Sequence, residues 1–142
     1  MDGDDRLTTS RPSTAEERVE LVRRLMDAFN RRDMDAMLEV AAPNFEYDFT
    51  RSMGPLVGVY RGLEGFKEFA NEQWTMFEDF EIEALEFIPR GNHVVVPMTI
   101  RATGRGGVPV SANSAQLYTF EDGRIVRITM FQGREEALAA AG

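Results

Sequence analysis

Apolar residues recur at helical spacing in three segments of the first half of the chain. The first stripe consists of Val19, Val22, Leu25, Met26 and Phe29. Because apolar residues three and four positions apart share one face of a helix, this stripe predicts a helix that ends near residues 30–32. A capping-box pattern marks its start, formed either by Ser13 with Glu16 or by Thr14 with Glu17.

Two further helices follow in the pattern. Asp33 is a suitable N-cap for a short helix, and Pro43 is expected to stop it. The buried face of that helix would consist of Met34, Met37, Leu38 and Ala41. The third helix is predicted over residues 63–78. Its apolar side would consist of Phe66, Phe69, Ala70, Trp74 and Phe77.

The remaining segments alternate between apolar and polar residues, as half-buried strands do. The predicted strands cover residues 45–49, 80–88, 93–102, 108–120 and 125–131. A slip in the alternation near Ala84 and Leu85 indicates a β-bulge. The sequence Glu-Asp-Gly-Arg at 121–124 is a strong hairpin signal, and a short helix is predicted over residues 134–140.

This order of elements favours an α+β fold. Helices come first and a meander of long strands comes afterwards, so three helices from the N-terminal half should cover one face of a curved antiparallel sheet. A cone-shaped arrangement of this kind leaves a central pocket between the sheet and the helices. Residues 1–12 are polar and acidic and are predicted to form a disordered tail, whereas residues 13–142 are predicted to form one domain.

Composition excludes several classes of function. The chain has 142 residues, a net charge of −8 and no basic run, which disfavours a nucleic-acid partner. No apolar run approaches the roughly 18 residues that a membrane span needs, and the acidic N-terminus lacks the apolar core of a signal peptide. We therefore expect a cytoplasmic protein. Without cysteine there is neither a disulfide nor a thiolate nucleophile.

Four stretches resemble a known superfamily in order and spacing. They are residues 28–36 (AFNRRDMDA), 60–66 (YRGLEGF), 120–126 (FEDGRIV) and 134–138 (REEAL). Across residues 15–140 the chain resembles the SnoaL-like branch of the nuclear transport factor 2-like and ketosteroid isomerase-like superfamily. The resemblance implies a conical pocket and a homodimer through the outer face of the sheet. It implies the fold more firmly than the function, because this fold carries isomerases, cyclases, hydrolases and binding proteins.

The site of the ketosteroid isomerases is not reproduced. Those enzymes use an Asp base on the first strand, with a Tyr and a protonated acid as hydrogen-bond donors. In this sequence the Tyr position falls on Leu25, the acid falls on Gln116, and the base falls on Asp48 or Phe49. Ketosteroid isomerization is therefore an improbable activity for this chain.

Asp48 is nevertheless the candidate general base. A carboxylate beside an apolar pocket would have a raised pKa, which suits proton abstraction. Strand parity argues against this role, because Asp48 shares a face with Glu46 whereas Phe45, Tyr47 and Phe49 share the other. The alternative is that Asp48 lies on a solvated face or holds the loop that follows.

Five residues are candidates for contact with a ligand. They are Tyr47, Trp74, Gln116, Tyr118 and Met130. Gln116 should point into the pocket, where its amide would bond either a ligand or a neighbour such as Tyr47. Trp74 is either part of the core or a flat wall for a ring-shaped ligand. One histidine and no cysteine cannot form an ordinary zinc site, so no metal and no cofactor are expected.

Three functional hypotheses remain open. The first is a cofactor-independent enzyme, of the isomerase, cyclase or hydratase/hydrolase type, that acts on a small apolar molecule. The second is a non-catalytic binding protein with the same pocket. The third is a dimeric protein–protein adaptor, for which Val95, Leu117 and Phe131 on the outer sheet face could supply apolar contacts.

Overall fold

A computed structural model of the protein describes residues 14–51, 57–104 and 106–142. The helices within these ranges are α1 (Ala15–Arg31), α2 (Met34–Val40), α3 (Gly62–Met76) and α4 (Arg134–Ala141). The strands are β1 (Ala41–Asp48), β2 (Val59–Arg61), β3 (Phe77–Ala84), β4 (Ile88–Arg90), β5 (His93–Gly104), β6 (Pro109–Glu121) and β7 (Arg124–Phe131). The tail predicted over residues 1–12 lies outside the described residues. No helix in the described part is long and apolar enough to cross a membrane.

The two N-terminal helices begin at polar caps. The Thr14 hydroxyl accepts a hydrogen bond from the Glu17 backbone N–H, and the Glu17 carboxylate accepts one from the Thr14 backbone N–H. Thr14 with Glu17 is therefore the pair that forms the capping box. Asp33 caps α2 as predicted, because its carboxylate accepts from the Ala36 backbone N–H. Ala41, expected on the buried face of α2, is instead the first residue of β1.

The described strands form one curved sheet in the order β2-β1-β7-β6-β5-β3, with β4 beside β5. The α+β prediction is confirmed. The expectation of a purely antiparallel sheet is wrong for one pair, because β1 and β7 run parallel. Between these two strands the chain passes through α3 and the whole meander, and this long connection allows β7 to return in the direction of β1.

The strand predicted over residues 80–88 is divided in two. β3 already begins at Phe77 and ends at Ala84, β4 resumes at Ile88, and both pair with β5. The interruption faces Pro97, which has no backbone N–H to offer a partner strand. Its carbonyl still accepts a hydrogen bond of 2.8 Å from the Leu85 backbone N–H. Pro97 in the neighbouring strand therefore interrupts the hydrogen-bonded strand pairing at the place where the apolar–polar alternation predicts a β-bulge.

Helices α1, α2 and α3 cover the inner face of the sheet and bury an aromatic core. The Phe66 ring of α3 lies 4.4 Å, between ring centroids, from the Phe45 ring of β1. A glycine permits a close approach at the start of α3, because a Cβ on Gly65 would lie 2.9 Å from the Tyr60 carbonyl carbon. The helix is thereby held directly against the end of β2.

The outer face carries a second, smaller apolar cluster. Its buried members are Ile88, Val95, Ala115, Leu117, Phe131 and Ala137. Ala137 belongs to α4, so the last helix of the chain covers the apolar residues that the sequence offered for a dimer or an adaptor contact. A homodimer through the outer sheet face stays a prediction, and its contacts would have to come from the polar part of that face.

Removal of α4 tests this role. A chain that ends at Gly133 is expected to lose about 1 kcal/mol of stability, since the burial of Ala137 is partly offset by the ordering of the helix. It is also expected to self-associate through Val95, Leu117 and Phe131. Analytical ultracentrifugation and thermal unfolding of both chains provide the measurement. Equal association states and equal melting temperatures would show that α4 does not cover this cluster in solution.

Candidate functional site

A small cavity lies between the inner face of the sheet and helices α1, α2 and α3. Its apolar lining consists of Leu25, Met26, Phe29, Met37, Phe66, Phe69, Phe80, Ile82, Met98, Ile100, Ile128 and Met130. Its polar lining consists of Tyr47, Gln73, Gln116 and Tyr118. The cavity volume is about 30 Å³, which gives room for about two water molecules. The side chains around it must move before a larger molecule can enter.

Three of the polar residues form a hydrogen-bonded triad, which we call the Tyr47–Gln116–Tyr118 triad. The Gln116 amide nitrogen donates to the Tyr47 hydroxyl, and the Tyr118 hydroxyl donates to the Gln116 amide oxygen, each at 2.5 Å. The sheet register brings them together, because Ile128 of β7 pairs with Tyr47 on one side and with Tyr118 on the other. Gln116 lies two residues before Tyr118 and therefore on the same face of β6.

Both tyrosines of the triad stay protonated over the ordinary pH range. Burial raises the pKa of Tyr47 well above its usual value, and the hydrogen bond from Gln116 only partly opposes this effect. Burial also raises the pKa of Tyr118, and the neighbouring Tyr47 raises it further. The triad therefore presents neutral hydroxyl and amide groups to the cavity rather than a charge.

The fourth polar residue, Gln73, was missed by the sequence analysis. It is only 8% exposed and lines the cavity from the helix side. A signal was present, because Gln73 lies seven residues after Phe66 and four after Phe69, on the same stripe of α3. A polar residue on an otherwise apolar stripe is the pattern that should have identified it.

Asp48 does not line this cavity. Its Oδ1 accepts hydrogen bonds from the Thr50 backbone N–H at 3.0 Å and hydroxyl at 2.6 Å, and its Oδ2 accepts one from Arg127 at 2.8 Å. Burial alone would raise the pKa of Asp48, but the Thr50 hydrogen bonds and the Arg127 charge together lower it. The structure thus places the suggested general base on the outer face of the sheet, ionised and fully engaged, as strand parity indicated.

Trp74 also lies away from the described cavity wall. It is half-buried behind the wall, with its ring centroid 5.5 Å from that of Phe29, and its indole Nε1 has no hydrogen-bond partner among the described residues. Met130 does line the cavity, opposite Gln116 in the sheet register. Leu25, which stands where a ketosteroid isomerase carries a tyrosine, lines it as well.

The described cavity wall contains no Asp, Glu, Lys, Arg or His side chain. His93 Nδ1 lies 3.0 Å from the Thr119 hydroxyl on the neighbouring strand. No group of three or more His, Cys, Asp or Glu side chains within residues 14–51, 57–104 and 106–142 is arranged to hold a metal ion. What the described cavity offers chemically is apolar contact and neutral hydrogen bonding.

Solved structures with the same fold cover nearly the whole chain. TerC co-crystallized with polyporic acid is 25% identical, with a TM-score of 0.75, and the match covers 88% of this chain and 97% of TerC. A nuclear transport factor 2-like protein of unknown function from Burkholderia pseudomallei K96243 is 26% identical, with a TM-score of 0.75 and coverage of 87% and 95%. Bal32a from a soil-derived mobile gene cassette is 23% identical, with a TM-score of 0.75, and the match covers 82% of this chain and 88% of Bal32a. At this identity the likeness shows the fold alone.

The sequence itself identifies the family. No curated protein matches the chain. The family model described as the SnoaL-like domain matches residues 22–128, which include most of α1, every cavity-lining residue except Met130, and most of the sheet. The chain therefore belongs to the SnoaL-like domain family.

Proposed function

We propose that the protein binds a small apolar molecule in the central cavity and does not transform it. The observation that carries this proposal is the chemistry of the described wall, where twelve apolar residues surround four neutral polar ones. Concave, mostly apolar sites with a few placed polar groups are typical of small-molecule binding. General acid–base catalysis needs a group that titrates near the working pH, and the raised pKa values of Tyr47 and Tyr118 make both unsuitable.

The rival functions lose their supporting observations. An isomerase, cyclase or hydratase/hydrolase with Asp48 as base would need that carboxylate within hydrogen-bond reach of a ligand. Asp48 instead bonds Thr50 and Arg127 on the other side of the sheet. An adaptor would need an exposed apolar patch, and α4 covers the cluster that contains Leu117 and Phe131. TerC, a relative that was co-crystallized with polyporic acid, supports binding of a small molecule by this fold.

Four methionines explain how a cavity of this size could admit a ligand. They are Met26, Met37, Met98 and Met130, and they line the cavity from α1, α2, β5 and β7. Methionine is unbranched and has three rotatable side-chain bonds, so it can change shape at low cost. We expect these side chains to move apart when a ligand binds.

Trp74 provides a direct measurement of binding. It is the only tryptophan in the chain, and its ring packs on Phe29, which lines the cavity. Titration with fluoren-9-one is expected to give a saturable change in Trp74 emission and a rise in the melting temperature. Met98→Phe should weaken binding at least tenfold because the rigid phenylalanine ring occupies space in the cavity.

Val110→Phe serves as the matched control. Val110 is exposed and lies far along β6 from the triad, so a phenylalanine ring introduced there should leave binding unchanged. The proposal fails if wild-type protein gives neither a saturable emission change nor a thermal shift. It also fails if Met98→Phe binds the probe as tightly as Val110→Phe and wild type do.

A further inference from the structure

Strand β6 extends beyond the strand that pairs with it on one side. β7 ends at Phe131, which lies opposite Ala115, whereas β6 begins at Pro109 and pairs there with β5 alone. Residues 109–113 are exposed, and among the described residues no backbone group forms a hydrogen bond with the other side of this segment. Residues 109–113 therefore form a free strand edge, which we call the β6 edge.

The hydrogen-bonding groups at the β6 edge belong to alternate residues. The Phe120 N–H donates to the Asn92 carbonyl, and β5 and β6 pair without a register shift, so the even-numbered residues of β6 direct their backbone groups toward β5. Ser111 and Asn113 consequently direct both N–H and C=O outward. Pro109 directs a carbonyl outward and has no N–H. The edge thus offers donors and acceptors in the alternation that an antiparallel strand requires.

The opposite edge of the sheet is closed by side chains of the same chain. The Asn30 amide donates to the Ile82 carbonyl and accepts from the Ile82 N–H, each at 2.9 Å, so it takes the place of a neighbouring strand beside β3. Arg32 donates to the Glu78 carbonyl further along β3. An open edge is a template for pairing with another chain, and natural proteins normally block it. Within the described ranges, the β6 edge has no block of this kind.

The residues around the β6 edge also lack the charges that keep strand edges apart. Residues 106–120 contain no Asp, Glu, Lys or Arg, and this is the longest such run in a chain whose net charge is −8. Two copies with that net charge repel each other, and the repulsion is smallest where two neutral segments meet. Two identical edges are also self-complementary about a twofold axis, because the donors of each copy face acceptors of the other. A second copy of this chain therefore fits the β6 edge.

We infer that two copies of the protein pair antiparallel through their β6 edges and form one continuous sheet. The partner strand must end before Phe131, which already lies beside Ala115, and this requirement places the twofold axis at Ser111. Ser111 then exchanges backbone hydrogen bonds with Ser111 of the partner subunit, and the Asn113 N–H donates to the carbonyl of Pro109 of the partner subunit. This interface differs from one through the outer sheet face, because the partner lies beside β6 rather than on the sheet, and it is independent of what the cavity binds.

Ser111→Pro tests the interface by sedimentation velocity. Wild type is expected to form a reversible dimer. The substitution removes an N–H that bonds nothing within one copy, so the chain should still fold, but the dissociation constant of the dimer should rise at least tenfold. Ser111→Thr keeps the N–H and should dimerise like wild type. A wild type that stays monomeric up to its solubility limit, or a Ser111→Pro variant that dimerises as tightly as wild type, overturns the inference.

Disulfide crosslinking tests the register and does not depend on the folding of the proline variant. The chain has no cysteine, so one introduced thiol reports on one position. Ser111→Cys should form a linked dimer under mild oxidation, because opposed residues of a hydrogen-bonded pair have Cα atoms about 5.5 Å apart, within reach of a disulfide. Val108→Cys is the matched control, since Val108 is 61% exposed but its two copies would lie about 20 Å apart. Equal crosslinking of the two variants, or none at position 111, contradicts the inferred pairing.

Discussion

Gln116→Met is expected to lower the free energy of unfolding by about 3 kcal/mol. The substitution removes the acceptor of the Tyr118 hydroxyl and the donor to the Tyr47 hydroxyl, and both tyrosines are buried. Each buried polar group that loses its partner costs about 1–3 kcal/mol, whereas methionine replaces the volume of glutamine closely enough to avoid a large cavity. Urea denaturation of wild type and variant, followed by far-ultraviolet circular dichroism, measures the difference.

Tyr47→Phe and Tyr118→Phe added to Gln116→Met provide the control. This triple variant removes all the polar atoms of the triad together, so no buried hydroxyl is left without a partner. Replacing both partners of a buried hydrogen bond by apolar groups of similar shape can be nearly neutral. We expect the triple variant to be more stable than Gln116→Met alone. If the three substitutions instead act additively, the triad is not a coupled network.

The triad also shows what the sequence could predict about the site. Alternation in Phe45-Glu46-Tyr47-Asp48-Phe49 separates the two faces of β1, and the structure places Tyr47 on the cavity wall and Asp48 on the outer face accordingly. The same rule places Gln116, Tyr118 and Met130 on the wall. Resemblance to enzymes with an acid on this strand favoured Asp48 as the base, and local geometry outweighs that analogy.

Other features depend on contacts that no local pattern contains. The break between β3 and β4 follows from Pro97, a residue of the partner strand that pairing alone brings opposite Leu85. The parallel pairing of β1 with β7 depends on how the whole sheet closes. The position of α4 was equally hidden, because a short alanine-rich helix does not reveal in its own sequence which sheet face it covers.

Arg127→Met is expected to lower the free energy of unfolding by about 2 kcal/mol at neutral pH. Arg127 donates hydrogen bonds to Glu46 at 2.6 Å and to Asp48 at 2.8 Å, and Asp48 is only 8% exposed. Loss of one partner from a buried ion pair costs about 3–5 kcal/mol, and the figure is smaller here because the Arg127 side chain is 40% exposed. Arg101→Met is the matched control, since the pair of Arg101 with Glu83 is half exposed on both sides and should contribute little.

Acid should abolish the difference between wild type and Arg127→Met. The Thr50 hydrogen bonds and the Arg127 charge lower the pKa of Asp48 in the folded protein despite its burial. A carboxyl group with a lowered pKa stabilises the folded state above its ordinary range, and this contribution is lost as the pH falls through the lowered pKa. The free energies of unfolding of wild type and Arg127→Met, measured by urea denaturation as a function of pH, should therefore converge under acidic conditions.

Asp48→Asn should likewise destabilise the protein at neutral pH yet leave the affinity for fluoren-9-one unchanged. A loss of affinity in this variant would return Asp48 to the binding site.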